Sequence, residues 1–131
     1  MVCGPARAEH YAILYNGGGS TEENEWYYYE NTRNMYNQLV YEWDWDPQNV
    51  TIIASDGLSP SVDYDDYWMT YQNSEWGSAT SAGSTVLPAY RPNLEDTIQN
   101  LNLGPEDLFF LFVEDHGFGS SGDPNSLDEE G

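Results

Sequence analysis

The 131-residue sequence predicts an α/β domain, a mostly parallel sheet with helices on both faces, and two observations carry that prediction. Three short runs, residues 10–15, 50–54 and 108–113, are largely apolar with little alternation, the pattern of strands covered on both faces rather than one. Between them lie stretches whose apolar residues recur every three or four positions. The order therefore reads β-α-β-loop-α-β, and strands joined by such crossovers are parallel.

Each element has a local reason. His10 to Tyr15 is stopped by Asn16-Gly17-Gly18-Gly19, where the backbone is free to take angles that side chains resist. From about Glu22 to Trp43, the residues Trp26, Tyr29, Tyr36, Val40 and Trp43 fall on one helical face, with Met35 and Leu39 beside them. Ser20 or Thr21 is placed to cap that helix, Glu22, Glu23 and Glu25 to sit in its first turn, and Asp46-Pro47 to end it. Val50 to Ala54 is closed by Ser55-Asp56-Gly57. Residues 57–92, rich in Gly, Ser, Asp, Tyr and Pro, show no period and read as one long loop. Asn93 is placed to cap a helix from Leu94 to Leu101, with Leu94, Ile98 and Leu101 inward. Leu108 to Val113, the most apolar run, is expected at the centre of the sheet and ends at Glu114-Asp115-His116-Gly117. Residues 1–9 then form a short leader, 10–117 the domain, and 118–131 a loose acidic tail containing Asp123, Asp128, Glu129 and Glu130.

Composition narrows the function classes. Hydrophobic residues make up 39% and aromatics 15%, enough to build a core. Twenty-three acidic residues against three Arg and no Lys give a net charge of −20. That field repels phosphate backbones and anionic lipid, so neither nucleic acid nor a membrane surface is an expected partner. No apolar run is long enough to span a bilayer. Cys3 is the single cysteine, which excludes an intrachain disulfide framework. Ala6-Arg7-Ala8 before Glu9 has the small-x-small form of a signal-peptidase site and points to a secreted protein.

His116 is the sharpest chemical feature. It follows the most hydrophobic strand, at the carboxyl edge where sites of parallel sheets form, and an imidazole there serves as general base or as partner to a thiolate. Gly117 lets the backbone approach a ligand, and its amide is available to an oxyanion. His10 starts the first strand, at the opposite edge, and reads as structural. Asp56, Asp63, Asp65 and Asp66 put four hard oxygen ligands within eleven residues, a composition that suits Ca²⁺ or, more simply, a solvated loop. Asn16-Gly17-Gly18-Gly19 lacks the spacing and the lysine of a phosphate cradle.

The segment Gly104-Pro105-Glu106-Asp107, continuing through Phe109, Phe110 and Phe112 to Asp115-His116-Gly117, resembles the histidine-bearing segment of legumain-type (C13) cysteine peptidases, which share a clan with caspases and gingipains. Tyr11-Ala12-Ile13-Leu14 followed by Asn24-Glu25-Trp26-Tyr27-Tyr28-Tyr29 is similar to their first strand and the asparagine-aromatic stretch after it, and Asp46-Pro47-Gln48-Asn49-Val50 to their entry into the second strand. The likeness runs in order from Tyr11 to Gly117, with residues 57–92 unmatched. It implies a caspase/legumain-like three-layer sandwich, here a partial domain. It also implies a cysteine endopeptidase chemistry without a cofactor, acting on peptide or protein substrates, with His116, Gly117 and Asn24 in the catalytic site and Asn24 orienting His116.

Two departures qualify that implication. Where the family continues into an Arg-His pair that reads substrate asparagine, this chain has Glu30 and Asn31, so asparaginyl specificity does not carry over. The family's nucleophilic cysteine follows the next strand beyond the histidine, and Cys3, before the first strand, is at the wrong edge to replace it. The chain is therefore expected to be inactive by itself. The alternative expectation is a non-catalytic, acidic extracellular binding module that holds calcium. Metal-dependent hydrolysis through His116 suffers from too few histidines. A sheet that ends on its most apolar strand is also expected to self-associate through residues 108–113.

Overall fold

The computed structural model describes residues 8–17, 21, 24–65 and 70–114. In chain order its regular elements are β1 (His10–Asn16), α1 (Trp26–Asn37), β2 (Val50–Ala54), β3 (Tyr64–Asp65), β4 (Tyr71–Gln72), α2 (Gly77–Ala82), β5 (Thr85–Leu87), α3 (Arg91–Gln99) and β6 (Leu108–Glu114). Four strands form a parallel sheet in the order β5-β2-β1-β6, and β3 and β4 make a separate antiparallel pair. This is an α/β fold with an all-parallel main sheet, as the apolar runs predict.

Alternation along each strand divides the core in two. Ala12, Leu14, Val50, Ile52 and Ala54 pack with Tyr29, Tyr36, Leu39 and Val40 of the α1 region and with Trp76, Ala79 and Val86. Ile13, Tyr15 and Ile53 point the other way, toward Ala89, Leu87, Leu94 and Leu101 around α3. Helices thus cover both faces. Each fully buried Ile or Leu contributes about 1.5–3 kcal/mol relative to exposure. Polar groups caught in the first core are linked: the Tyr36 hydroxyl meets Ser84 Oγ at 3.1 Å, and Ser84 Oγ donates to the Pro47 carbonyl at 2.7 Å.

The first helix starts later than its pattern predicts. Glu25 is the extended residue ahead of it rather than part of its first turn, and no side chain caps it. The reason is tertiary: Thr21 Oγ1 donates to the Val62 carbonyl at 3.0 Å and Asn24 Nδ2 to the Asp63 carbonyl at 3.0 Å, so these groups tie the approach segment to another loop. The far end also differs. Residues Gln38–Glu42 form a π turn in which the Trp43 amide reaches back to the Gln38 carbonyl at 3.0 Å. The wider turn shifts the phase, leaving Leu39 and Val40 buried while Trp43 swings into solvent. At the other end of the predicted stripe Trp26 is exposed as well.

Residues 57–92 are not a structureless loop. They hold β3, β4, α2 and β5, and β5 extends the main sheet by pairing with β2. The pieces are too short to show a period. The helix expected from Leu94 to Leu101 begins instead at Arg91, with Pro92 in its first turn, where a missing N–H costs nothing. Asn93 therefore lies inside the helix and braces it, donating to the Pro88 carbonyl at 2.8 Å. Leu94 and Leu101 pack inward, whereas Ile98 faces solvent.

β6 has the composition of a central strand, yet, as expected for a sheet that ends on its most apolar run, it lies at the edge: Phe110 and Phe112 pack on the first core, while Leu108, Phe109, Leu111 and Val113 are exposed. Its start is pinned to β1 by Asp107, whose carboxylate accepts the Glu9 amide at 2.7 Å and the Gly104 amide at 2.7 Å. Those two donors hold its pKa below the ordinary carboxylate value. His10, at the same end, stacks against Trp45 with ring centroids 4.8 Å apart, in keeping with a structural role.

The face assignments are testable by urea denaturation. Ile52→Ala, in the centre of the first core, should cost about 2–5 kcal/mol. Ile98→Ala should stay within about 0.5 kcal/mol of wild type, and equal losses at the two positions would overturn the placement of α3.

Candidate functional site

The carboxyl ends of β1, β2 and β6 are level. Asn16 is in register with both Ala54 and Glu114, and backbone bonds continue the layer beyond the strands. The Gly17 amide donates to the Glu114 carbonyl at 3.2 Å, the Ser55 amide to the Asn16 carbonyl at 3.1 Å, and the Ala89 amide to the Ser55 carbonyl at 2.9 Å. The segments after β1, β2 and β5 and the end of β6 are therefore hydrogen-bonded at one edge. Ser55 turns away from the sheet with φ of 40°, a strained value for a residue with a side chain.

Asn24 is buried at this edge and its position depends on Gly17. Gly17 has φ of +51°, and a Cβ there would come within 2.3 Å of Asn24 Oδ1. Only glycine leaves room for the asparagine, whose amide meanwhile holds Asp63. Further along, Asn31 Nδ2 donates to Glu114 Oε1 at 2.8 Å, so α1 grips the last described residue of β6. Asn31 occupies one of the two positions where the sequence departs from the legumain pattern; its partner is a contact that sequence reasoning missed.

Of the residues expected to carry chemistry, His116 and Gly117 lie outside the described residues, as do Cys3 and Asp66. Asp56 and Asp63 are brought together. Asp63 is buried, and one of its oxygens accepts both the backbone amide and the hydroxyl of Ser74, the amide at 2.8 Å. Its other oxygen takes a long contact of 3.4 Å from the Asp56 amide. Burial pushes the Asp63 carboxyl pKa up, the Ser74 donors pull it back, and the Asp56 carboxyl, within hydrogen-bonding reach, pushes it up again; the net shift is upward. Asp56 Oδ1 is buried without a hydrogen-bond partner among the described residues. Asp65 pairs through its backbone with Tyr71. No three Asp, Glu, His or Cys side chains converge as a cation site among the described residues.

A cavity of about 90 Å³ opens beside these groups, lined by Thr21, Asn24, Ser55, Asp56, Asp63 and Tyr90 among others. A larger hollow, about 450 Å³, lies between α3 and the amino-terminal parts of β1 and β2, lined mainly by amides and hydroxyls with Asp96 its single carboxylate. We place the candidate site at the smaller cavity because the sheet edge, the strained Ser55, the buried Asp63 carboxyl and the shielded Asp56 Oδ1 meet there.

The walls of the site are held by Tyr29. Its hydroxyl donates to the Glu75 carbonyl at 3.1 Å and lies 3.2 Å from the Glu75 amide, while its ring stacks on Tyr64 at 5.5 Å and meets Trp76 edge-on at 5.2 Å. The Arg33 guanidinium sits over the same ring at 5.3 Å. Helical spacing identifies Tyr29 as core; nothing local reveals that it anchors Tyr64, Glu75 and Trp76.

Two substitutions test this geometry. Asp63→Ala strands the buried Ser74 donors and should cost about 1–3 kcal/mol in urea melts. Because the folded chain holds the Asp63 proton more tightly than the unfolded chain, this group's contribution to stability is fully present below the ordinary carboxylate range, near pH 4. It is lost as pH rises through the elevated folded value. Asp63→Asn should remove that part of the slope, so that wild type loses stability relative to the variant between about pH 4 and neutrality; parallel curves would contradict the raised pKa. Gly17→Ala should displace Asn24 and destabilise the chain by more than the usual Gly-to-Ala change.

Compared with protein-family models, with curated proteins and with solved structures, the chain matches none.

Proposed function

We propose that this chain is the histidine-bearing, amino-terminal part of a legumain-like cysteine endopeptidase domain. The observation that carries the reading is the level carboxyl edge. The strand leading to Asp115-His116-Gly117 pairs directly with central β1, and its last described residue is held by Asn31 while Asn24 sits on Gly17 one strand away. The sequence carries a histidine two residues past Glu114, and Asn24, of the type the family uses to orient that histidine, is buried at the edge where β6 ends.

In the completed domain a cysteine thiolate attacks the scissile carbonyl. His116 holds that thiolate as an ion pair and then protonates the leaving amine, Asn24 orients the imidazole, and the Gly117 amide stabilises the oxyanion. The chemistry needs no metal. Cys3 does not serve as the nucleophile: it precedes β1, and a seven-residue strand separates the two sheet edges by roughly 23 Å. Glu30 and Asn31 leave the peptide specificity different from an asparaginyl enzyme. A secreted location fits the Ala6-Arg7-Ala8 motif and the acidic surface.

The experiment compares the 131-residue chain with a longer one encoded by the reading frame past Gly131, assayed on a mixed peptide library. The shorter chain should be inactive. The longer one should cleave, lose activity on thiol alkylation, and fall by about 10³-fold or more with His116→Ala. Activity that survives both treatments would overturn the reading. A chain that is inactive at either length but melts higher on adding Ca²⁺, with the shift lost in Asp56→Asn, would instead favour the calcium-holding module, the reading that gains from the unpartnered Asp56 Oδ1.

A further inference from the structure

Helix α3 lies on the face of the sheet that carries Tyr11 and Thr51, which alternate in step with the buried Ile13 and Ile53. A helix ordinarily meets a sheet with an apolar row. Leu94 and Leu101 do so here, but the neighbouring row is Asn93, Thr97 and Asn100, at helical spacings of four and three. Opposite that polar row, where the strands begin, stand Tyr11, Thr51, Gln48 and Asn49. The two sides do not meet. They enclose the hollow of about 450 Å³, and among the described residues no side-chain hydrogen bond crosses it.

The polar side chains are fixed from behind. Asn93 Nδ2 donates to the Pro88 carbonyl at 2.8 Å and Thr97 Oγ1 to the Asn93 carbonyl at 2.6 Å. Asn100 Nδ2 donates to the Asp96 carbonyl at 2.7 Å, and Asn49 Nδ2 to Glu9 Oε2 at 3.3 Å. Each gives a hydrogen to the protein while its side-chain oxygen accepts none among the described residues, which leaves oriented acceptors around the hollow. Gln48, exposed and without a side-chain hydrogen bond among the described residues, adds an amide that both donates and accepts.

We infer that this hollow is a binding site for a neutral carbohydrate, one or two sugar rings laid between α3 and the amino ends of β1 and β2. Its lining selects that class. No Lys, Arg or His lines it, and Asp96 is its single carboxylate on a chain of net −20, so phosphate and other anions are repelled. An apolar ligand would cover the amides and hydroxyls without pairing them, which is costly. A cation would find only one charge, on the exposed Asp96. Sugar hydroxyls donate to the fixed oxygens and accept from the remaining amide hydrogens. The C–H faces of a sugar ring need an apolar wall, and the half-buried Tyr11 with Leu87 and Leu101 supplies one. The volume falls within the range of small-ligand pockets, about 300–1,000 Å³. The inference does not rest on the peptidase reading, because the hollow is at the opposite end of the strands from Asn24 and Asp63.

The test is a nuclear magnetic resonance titration of the isotope-labelled chain with glucose, galactose, mannose, N-acetylglucosamine, maltose, cellobiose and lactose. At least one of them should shift the side-chain amides of Asn93 and Asn100 saturably, with a Kd of about 1 mM. That Kd should be the same at about 0.05 and 0.5 M NaCl. Gln48→Ala and Asn100→Ala should each weaken binding about three- to tenfold. Asp96→Asn keeps an acceptor oxygen and should bind as wild type, as should Asn34→Ala, exposed on α1 across the sheet. Inorganic phosphate and benzylamine, an anion and a cation, should leave the same resonances unmoved. If Asn100→Ala fails to fold by circular dichroism, Gln48→Ala, which removes no side-chain hydrogen bond among the described residues, decides the matter. Saccharides that shift nothing, shifts that Gln48→Ala leaves at wild-type strength, binding of phosphate, or binding of benzylamine that is lost in salt and in Asp96→Asn would overturn the inference.

Discussion

The pairing of β1 with a strand on each side is the constraint on which the rest of the structure depends. Ala12 to Tyr15 are almost wholly excluded from solvent, so every backbone polar group of that stretch needs a partner from β2 or β6. Once those ladders form, alternation sends Ala12 and Leu14 toward α1 and Ile13 and Tyr15 toward α3, and both helix layers have a surface to cover. The same register ends three strands at one level. The carboxyl-edge cavity is a consequence of that levelling.

Around the sheet, side chains of the connecting segments join neighbours that are far apart in sequence. Tyr29 fastens Tyr64, Glu75 and Trp76 to α1, Asn24 and Thr21 fasten the approach to α1 onto residues 62–63, and Asp63 gathers Ser74 and the Asp56 turn. Burial of Asp63 beside a second carboxyl works against folding of the ionised form, yet its donors are satisfied only in that place. An acidic surface with the buried Asp63 carboxyl beside the half-buried Asp56 makes the candidate edge electrostatically tense, and the Ser55 turn adds backbone strain. Sites are commonly built from such locally unfavourable groups held by a rigid frame.

Acidity and apolarity are segregated in this chain. Among the described residues the charge lies mainly in loops and on outer helix faces, while β6 carries none before its terminal Glu114 and stays apolar even where it faces solvent. Surface ion pairs such as Arg33–Glu30 and Arg91–Glu95 contribute little at exposed sites. Solubility and edge chemistry are therefore set by different parts of the molecule.

By itself the sequence determined the α/β class, three of the four main strands to within a residue, and the carboxyl edge at which those three parallel strands end. It could do so because continuous apolar runs, turn residues and crossover topology are local signals or follow from the chain's hand. Tertiary structure alone decided the strand order, which left β6 outside although its composition suits a centre, since composition records what a strand tolerates and not who stands beside it. It decided the fourth strand, because the three residues Thr85–Leu87 are too few to show any period. It decided where α1 begins and where Trp43 points, because the would-be capping segment is bound elsewhere and a π turn changes the phase. And it decided that Asp63 is buried between the Ser74 donors and the Asp56 turn rather than standing as a solvated acid, because only folding brings residues 56, 63 and 74 within reach of one another.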